Sequence, residues 1–215
     1  SSPHCRMQKE GGILMRLPRE SEFLSLNCKY FVVNSQKIIK ISMIENIKAF
    51  FLKVEGVLTD GRSIIKDNGN ISIFLNEKDT FALRMARMKG YPIGIYSDEL
   101  TNANATFFMR YGIKENDLFC QSTHDRLSIL NLFTSQNGLA PQEVLYTGSD
   151  ILDLGYKQFA GLIVAPNDAT DEFKAQSNFI SQYNSGNLFV RDIIQQVLSS
   201  RGDWSFDPIL YKELF

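Results

Sequence analysis

The sequence predicts a three-layer α/β fold, in which one parallel sheet is covered by helices on both faces and a β-hairpin is inserted behind the first strand. Three observations carry this. From Ile47 onward, short apolar runs alternate with longer segments of helical periodicity, the pattern that crossover helices between parallel strands leave. The helical segments stop at Gly90, Gly112 and Gly138, as helix C-termini do. Two β-rich runs flank Asp67-Asn68-Gly69-Asn70, and Asn-Gly supplies the positive φ angles of a tight turn.

Each element follows in order. "IKAFFLKV" is an apolar strand, and "RSIIKDNGNISIFLN" is the hairpin. "DTFALRMARMKG" places Phe81, Leu83, Met85, Ala86 and Met88 in a helix-compatible pattern. "YPIGIYS" is the next strand, "ELTNANATFFMRYG" a helix and "DLFC" a short strand. "THDRLSILNLFTSQNG" opens at a candidate N-cap, Thr123, and continues as a helix. "EVLYTG" is a strand, "DILDLGYKQFAG" a helix and "LIVAP" a strand. "NDATDEFKAQ" is a short helix with acidic residues in its first turns, where the helix dipole favours them. "NFISQ" is a last short strand and "GNLFVRDIIQQVLSS" an amphipathic helix.

The first 42 residues read differently. They carry seven Lys or Arg against three Glu, a net of +4, so the remainder is at -5 within a total of -1. "KYFVVN" suits a short strand, but no period is sustained, and Met43 lies just before the first clear strand. The expected organisation is an N-terminal extension over 1–42, an α/β domain over 43–201, and an aromatic-rich tail over 202–215 containing Trp204, Phe206, Tyr211 and Phe215.

With 215 residues, 44% hydrophobic and 22% charged, the chain suits a soluble globular domain. Near-neutral charge gives no basic footprint for nucleic acid, and no apolar run reaches the ~18 residues of a membrane span. Cys5, Cys28 and Cys120 are scattered, and only His4 and His124 could join them. That pattern argues against zinc or a disulfide framework and for free thiols in a reducing cytoplasm.

In such a fold, ligands bind beyond the carboxyl ends of the strands. Four places qualify: "LKVEGVLTDG", Ser97 in "GIYSDE", "STHDRL" with Arg126, and "YTGSDILD". Taken singly, Lys53 and Glu55 read as solvent-facing charges, Ser97 as a turn serine, Arg126 as a helix-surface residue, and Asp150 and Asp153 as first-turn helix residues. Together their order and spacing over about Ile47 to Arg201 resemble the haloacid dehalogenase superfamily. The narrower resemblance is to its cap-less, Rossmann-like sugar-phosphate phosphatases, the 3-deoxy-D-manno-octulosonate 8-phosphate phosphatase-like family. "GVLTDG" with the hairpin behind it, "YGI", and the G-x-D-x-x-D at 148 to 153 carry it jointly.

The resemblance implies a magnesium-dependent phosphatase of acidic sugar phosphates. It also implies a homotetramer whose hairpins pack together. The family's first motif, D-x-D-G-V, has a nucleophilic Asp that binds magnesium and a second Asp that protonates the leaving oxygen. Here those positions are Lys53 and Glu55. Ser97 matches the hydroxyl that binds the transferring phosphoryl group, but Asp98 and Glu99 follow it in place of Gly-Arg. Arg126 stands for the lysine that neutralises phosphoryl charge. In the last motif the leading Asp is Ser149, while Asp150 and Asp153 remain as an acidic cluster.

The sequence therefore leads to a degenerate relative with no tight magnesium site and no cofactor. It would be kept as a sugar-phosphate-binding or oligomeric scaffold, with Ser97, Arg126 and Lys53 able to hold an anion. An active phosphatase, with Glu55 activating water directly, is the alternative. Lys53 is expected to serve as an internal counterion to Asp150 or Glu55, because a buried ammonium without a partner is costly.

Overall fold

The computed structural model describes residues 30–33, 37–69, 71–120, 126–156 and 161–205. Thr123, His124, Asp125 and the tail from Phe206 onward lie outside the described residues, as do His4, Cys5 and Cys28.

Two strands precede the domain, β1 (Tyr30–Val33) and β2 (Lys37–Lys40), paired antiparallel. A short helix, α1 (Ile41–Glu45), crosses the expected boundary at Met43 and tucks Ile44 into the core. The sheet strands are β3 (Ala49–Lys53), β6 (Ile93–Ser97), β7 (Leu118–Cys120), β8 (Val144–Thr147), β9 (Leu162–Ala165) and β10 (Phe179–Ile180). They pair in parallel in the order β10-β9-β8-β3-β6-β7. The inserted hairpin is β4 (Ile64–Ile65) with β5 (Ile71–Ser72), and Gly69 in its turn has φ +79°.

Helices α2 (Glu77–Met88), α3 (Asn102–Arg110), α4 (Arg126–Gln136), α5 (Asp171–Gln176) and α6 (Phe189–Ser200) complete the layers. The alternation of a strand sorts the core. Phe50 and Leu52 of β3 face one cluster with α2, α3 and α6, while Ala49 and Phe51 face the other with α4 and α5. Every residue of β3, β6 and β8 is buried, as the central strands of a sheet covered on both faces must be.

One element differs from expectation. The segment after β8 is a 3-10 turn over Ile151–Tyr156 rather than an α-helix. Asp153 N donates to Asp150 O at 2.9 Å, the i to i+3 bond of a 3-10 turn, while side chains hold the preceding donors: Ile151 N donates to Asp150 Oδ1 at 2.6 Å, and Ser149 N and Asp150 N both donate to Asp153 Oδ2. Beyond α6, Trp204 packs against the first cluster, with the Arg191 guanidinium 5.2 Å from its ring centre. Among the described residues no helix is long and apolar enough to cross a membrane.

Candidate active site

The chain runs from β3 outward to β6 and β7, then returns to the other side of β3 to build β8, β9 and β10. The sheet order therefore reverses between β3 and β8, and the crevice above that reversal is where an open α/β sheet places its ligands. Lys53 ends β3, Ser97 ends β6, and Ser149 follows β8 directly after Gly148.

Across the reversal, Lys53 Nζ donates to Asp153 Oδ1 at 3.0 Å and Oδ2 at 3.2 Å. The lysine side chain is 8% exposed and the aspartate 0%. Asp153 Oδ2 also accepts from Ser149 N at 2.9 Å and Asp150 N at 3.1 Å, so the carboxylate is bound on every side the described residues show. The ammonium thus has a carboxylate partner, as expected of a buried lysine, but the partner is Asp153 and not Asp150 or Glu55. Asp150 is exposed and turns its carboxylate to the backbone of Ile151.

On the other flank, Glu55 faces Ser97. Ser97 Oγ donates to Glu55 Oε1 at 2.5 Å, and Asp98 N donates to Glu55 Oε2 at 3.3 Å. The backbone after Lys53 makes this possible. Glu55 is extended (φ -73°, ψ 122°), Gly56 turns left-handed at φ +69°, and Thr59 N closes the turn on Val54 O at 3.0 Å. The left-handed φ favours glycine at position 56, and a Cβ there would also lie 2.6 Å from Ser149 Oγ and 3.3 Å from its Cβ, so the β3 and β8 turns come closest at this glycine.

Three residues that the sequence did not single out brace this turn. Ser185 Oγ donates to Gly56 O at 2.7 Å and lies 2.8 Å from Asp168 Oδ1, which also accepts from Ser185 N. Gly186 N donates to Val57 O at 2.9 Å. Their only sequence signal is turn composition, in "PNDAT" and "YNSGN".

The structure thus brings Lys53, Asp153 and Ser149 together on one side, and Glu55 and Ser97 on the other. Arg126 stands at the start of α4 as its backbone requires; its side chain is outside the described set. Among the described residues, no group of three or more His, Cys, Asp or Glu is placed to hold a metal ion.

No family model matches the chain. The sequence is 25% identical over 162 residues to the 3-deoxy-D-manno-octulosonate 8-phosphate phosphatase of Escherichia coli (strain K12), an alignment covering 75% of this chain and 85% of that protein. The fold matches the crystal structure of the phosphatase of that name from Yersinia pestis with a TM-score of 0.73 at 20% identity, over 81% of this chain and 94% of that one. It also matches the Moraxella catarrhalis enzyme in complex with magnesium, phosphate and KDO, with a TM-score of 0.70 at 22% identity, over 76% of this chain and 92% of that one. The resemblance drawn from the motifs is thus met by homology in sequence and by the same fold.

Proposed function

We propose that this chain, a homologue of the 3-deoxy-D-manno-octulosonate 8-phosphate phosphatases of the haloacid dehalogenase superfamily, is catalytically degenerate and, of the two scaffold roles the sequence suggests, is retained as a cytoplasmic oligomeric scaffold. The observation that carries this reading is the Lys53–Asp153 pair, at 3.0 Å. Covalent phosphoryl transfer in this superfamily needs a carboxylate nucleophile at position 53. A protonated ammonium has no lone pair, and here its protons are directed at Asp153.

The same pair argues against magnesium. That ion takes anionic or neutral oxygens. A unit positive charge 4 Å from a divalent ion costs about 8 kcal/mol at an effective dielectric near 20. Ser149 adds only a neutral hydroxyl where the family has an aspartate. These residues do not fit a magnesium ion.

The test is release of inorganic phosphate from 3-deoxy-D-manno-octulosonate 8-phosphate with magnesium present, beside the Escherichia coli enzyme. The expected turnover is roughly 10³-fold or more below that enzyme, the scale of losing a nucleophile. Comparable turnover would overturn the proposal and make Glu55 the candidate base for direct attack by water.

The scaffold part of the reading rests on the hairpin. Ile64, Ile65, Ile71 and Phe74 are exposed at 48, 76, 39 and 67%. A two-stranded hairpin is marginal alone, and apolar side chains on it call for cover. We read that cover as further copies of the chain, forming a homotetramer. Sedimentation should give the mass of four chains, and Ile65→Lys should shift it toward one.

A further inference from the structure

The carboxylate of Glu55 lies in a place shaped for an oxyanion. Ser97 is fully buried at the end of a central strand, and its Oγ donates to Glu55 Oε1 at 2.5 Å. The same Oγ accepts from Glu99 N at 3.2 Å, which fixes its single proton toward Glu55. Asp98 N donates to the second oxygen, Oε2, at 3.3 Å. One O–H and one adjacent backbone N–H thus grip the two oxygens of one carboxylate, the donor geometry that suits a phosphoryl or carboxylate group.

We propose that Glu55 is an internal ligand that keeps this seat filled. The intact chain therefore does not take phosphate at Ser97, and removing the carboxylate opens a binding site for inorganic phosphate or a small carboxylate. The inference rests on reading the strand-end crevice as a degenerate phosphoryl site, and it assigns Glu55 the part of occupant in place of proton donor.

Two features make the occupant hard to displace. Position 55 lies two residues past the end of β3, on a turn clamped from outside by Ser185 Oγ to Gly56 O and by Gly186 N to Val57 O. The carboxylate is therefore presented by a fixed backbone, not by a mobile loop. A ligand tethered this closely competes at an effective concentration of about millimolar or more. A visiting dianion would also need to share the seat with a like charge, which the Ser97 hydroxyl cannot serve because it has only one proton to give.

The experiment is a calorimetric titration of the full chain with inorganic phosphate, comparing the wild type, Glu55→Ala and Glu55→Ala/Ser97→Ala. Phosphate should bind Glu55→Ala at least about tenfold tighter than wild type, since a tethered competitor is gone. The double variant should return to the wild-type value. Formate should compete with phosphate in Glu55→Ala and change nothing in wild type. Glu55→Ser, too short to reach Ser97, serves if the alanine variant does not fold.

The inference is overturned if wild type binds phosphate as tightly as Glu55→Ala, or if Ser97→Ala leaves tight binding in place. Either result can occur while the wild type remains without turnover, so it is separable from failure of the proposed function, which turnover by the wild type alone would decide.

Discussion

Asp153 and Asp79 are both fully buried, and both collect two backbone N–H groups from a neighbouring turn, but only Asp153 is given an ammonium. Asp79 Oδ1 accepts from Arg191 N at 2.7 Å and Oδ2 from Leu188 N at 3.1 Å. It sits in the first turn of α2 and caps the first turn of α6, so two helix N-termini, each 12 residues long, direct their positive ends at one carboxylate. Asp153 lies in the first turn of only a six-residue 3-10 segment, which carries little such field. The difference teaches where counter-charge comes from in this molecule. Helix starts provide it in part for Asp79, and Lys53 provides a whole charge for Asp153. Lys53 thus serves as the counterion of a buried carboxylate.

The largest effect should come from breaking that pair. Lys53→Ala leaves an uncompensated carboxylate at 0% exposure and should destabilise by about 3–5 kcal/mol. Adding Asp153→Asn removes the stranded charge while keeping an oxygen for Ser149 N and Asp150 N, so it should recover much of the loss. Thermal or denaturant unfolding of the two variants checks this. A melting temperature for Lys53→Ala equal to or above that of the wild type would show that the ammonium is not a counterion.

The fold was legible because its signals are local and repeated. Gly90, Gly112 and Gly138 end their helices with φ of +86°, +82° and +64°; in the hairpin turn Gly69 is left-handed at φ +79° as expected, but Asn68 is not, because the connection between Ile65 and Ile71 is longer than a two-residue turn. The placement of Lys53, Glu55 and Ser97 at one edge was legible too, since parallel strands deliver their last residues to the same side. The pairings among them were not. Asp150 and Asp153 differ by three positions, and which one turns inward depends on the 3-10 turn, in which Asp153 takes the N–H groups of Ser149 and Asp150 while Asp150 turns to Ile151 N. Ser185 was missed because it acts on the backbone of Gly56 from 129 residues away in sequence, and Asp168 because it acts only through Ser185, with no motif to mark either. Leu188 is a further case. Its φ of +74° is rare for a leucine, and it is held there by Asp79 from the far side of the chain.

The smallest predicted effect sharpens the other half of the comparison. Burial pushes the Asp79 carboxyl above its ordinary value of 3.8, against the pull of the Arg191 and Leu188 N–H groups and the Arg191 charge. The folded state therefore holds this proton more tightly than the unfolded chain does. Between 3.8 and the raised folded value, stability from this group falls as pH rises, and above that value the cost of ionisation is fully present. Glu143 behaves in the opposite sense. Its hydrogen bond from Lys48, and then that from Ala140 N, lower its value, so its contribution is lost as pH falls. That contribution is common to wild type and variant and cancels in their difference. Asp79→Asn keeps an acceptor for Arg191 N and cannot ionise. Its melting temperature relative to wild type should therefore rise from acid pH toward neutral and then level off. A difference that stays constant with pH would mean that the two helix starts already balance the charge of Asp79, and that Asp153 alone among these two carboxylates needs an answer from elsewhere in the chain.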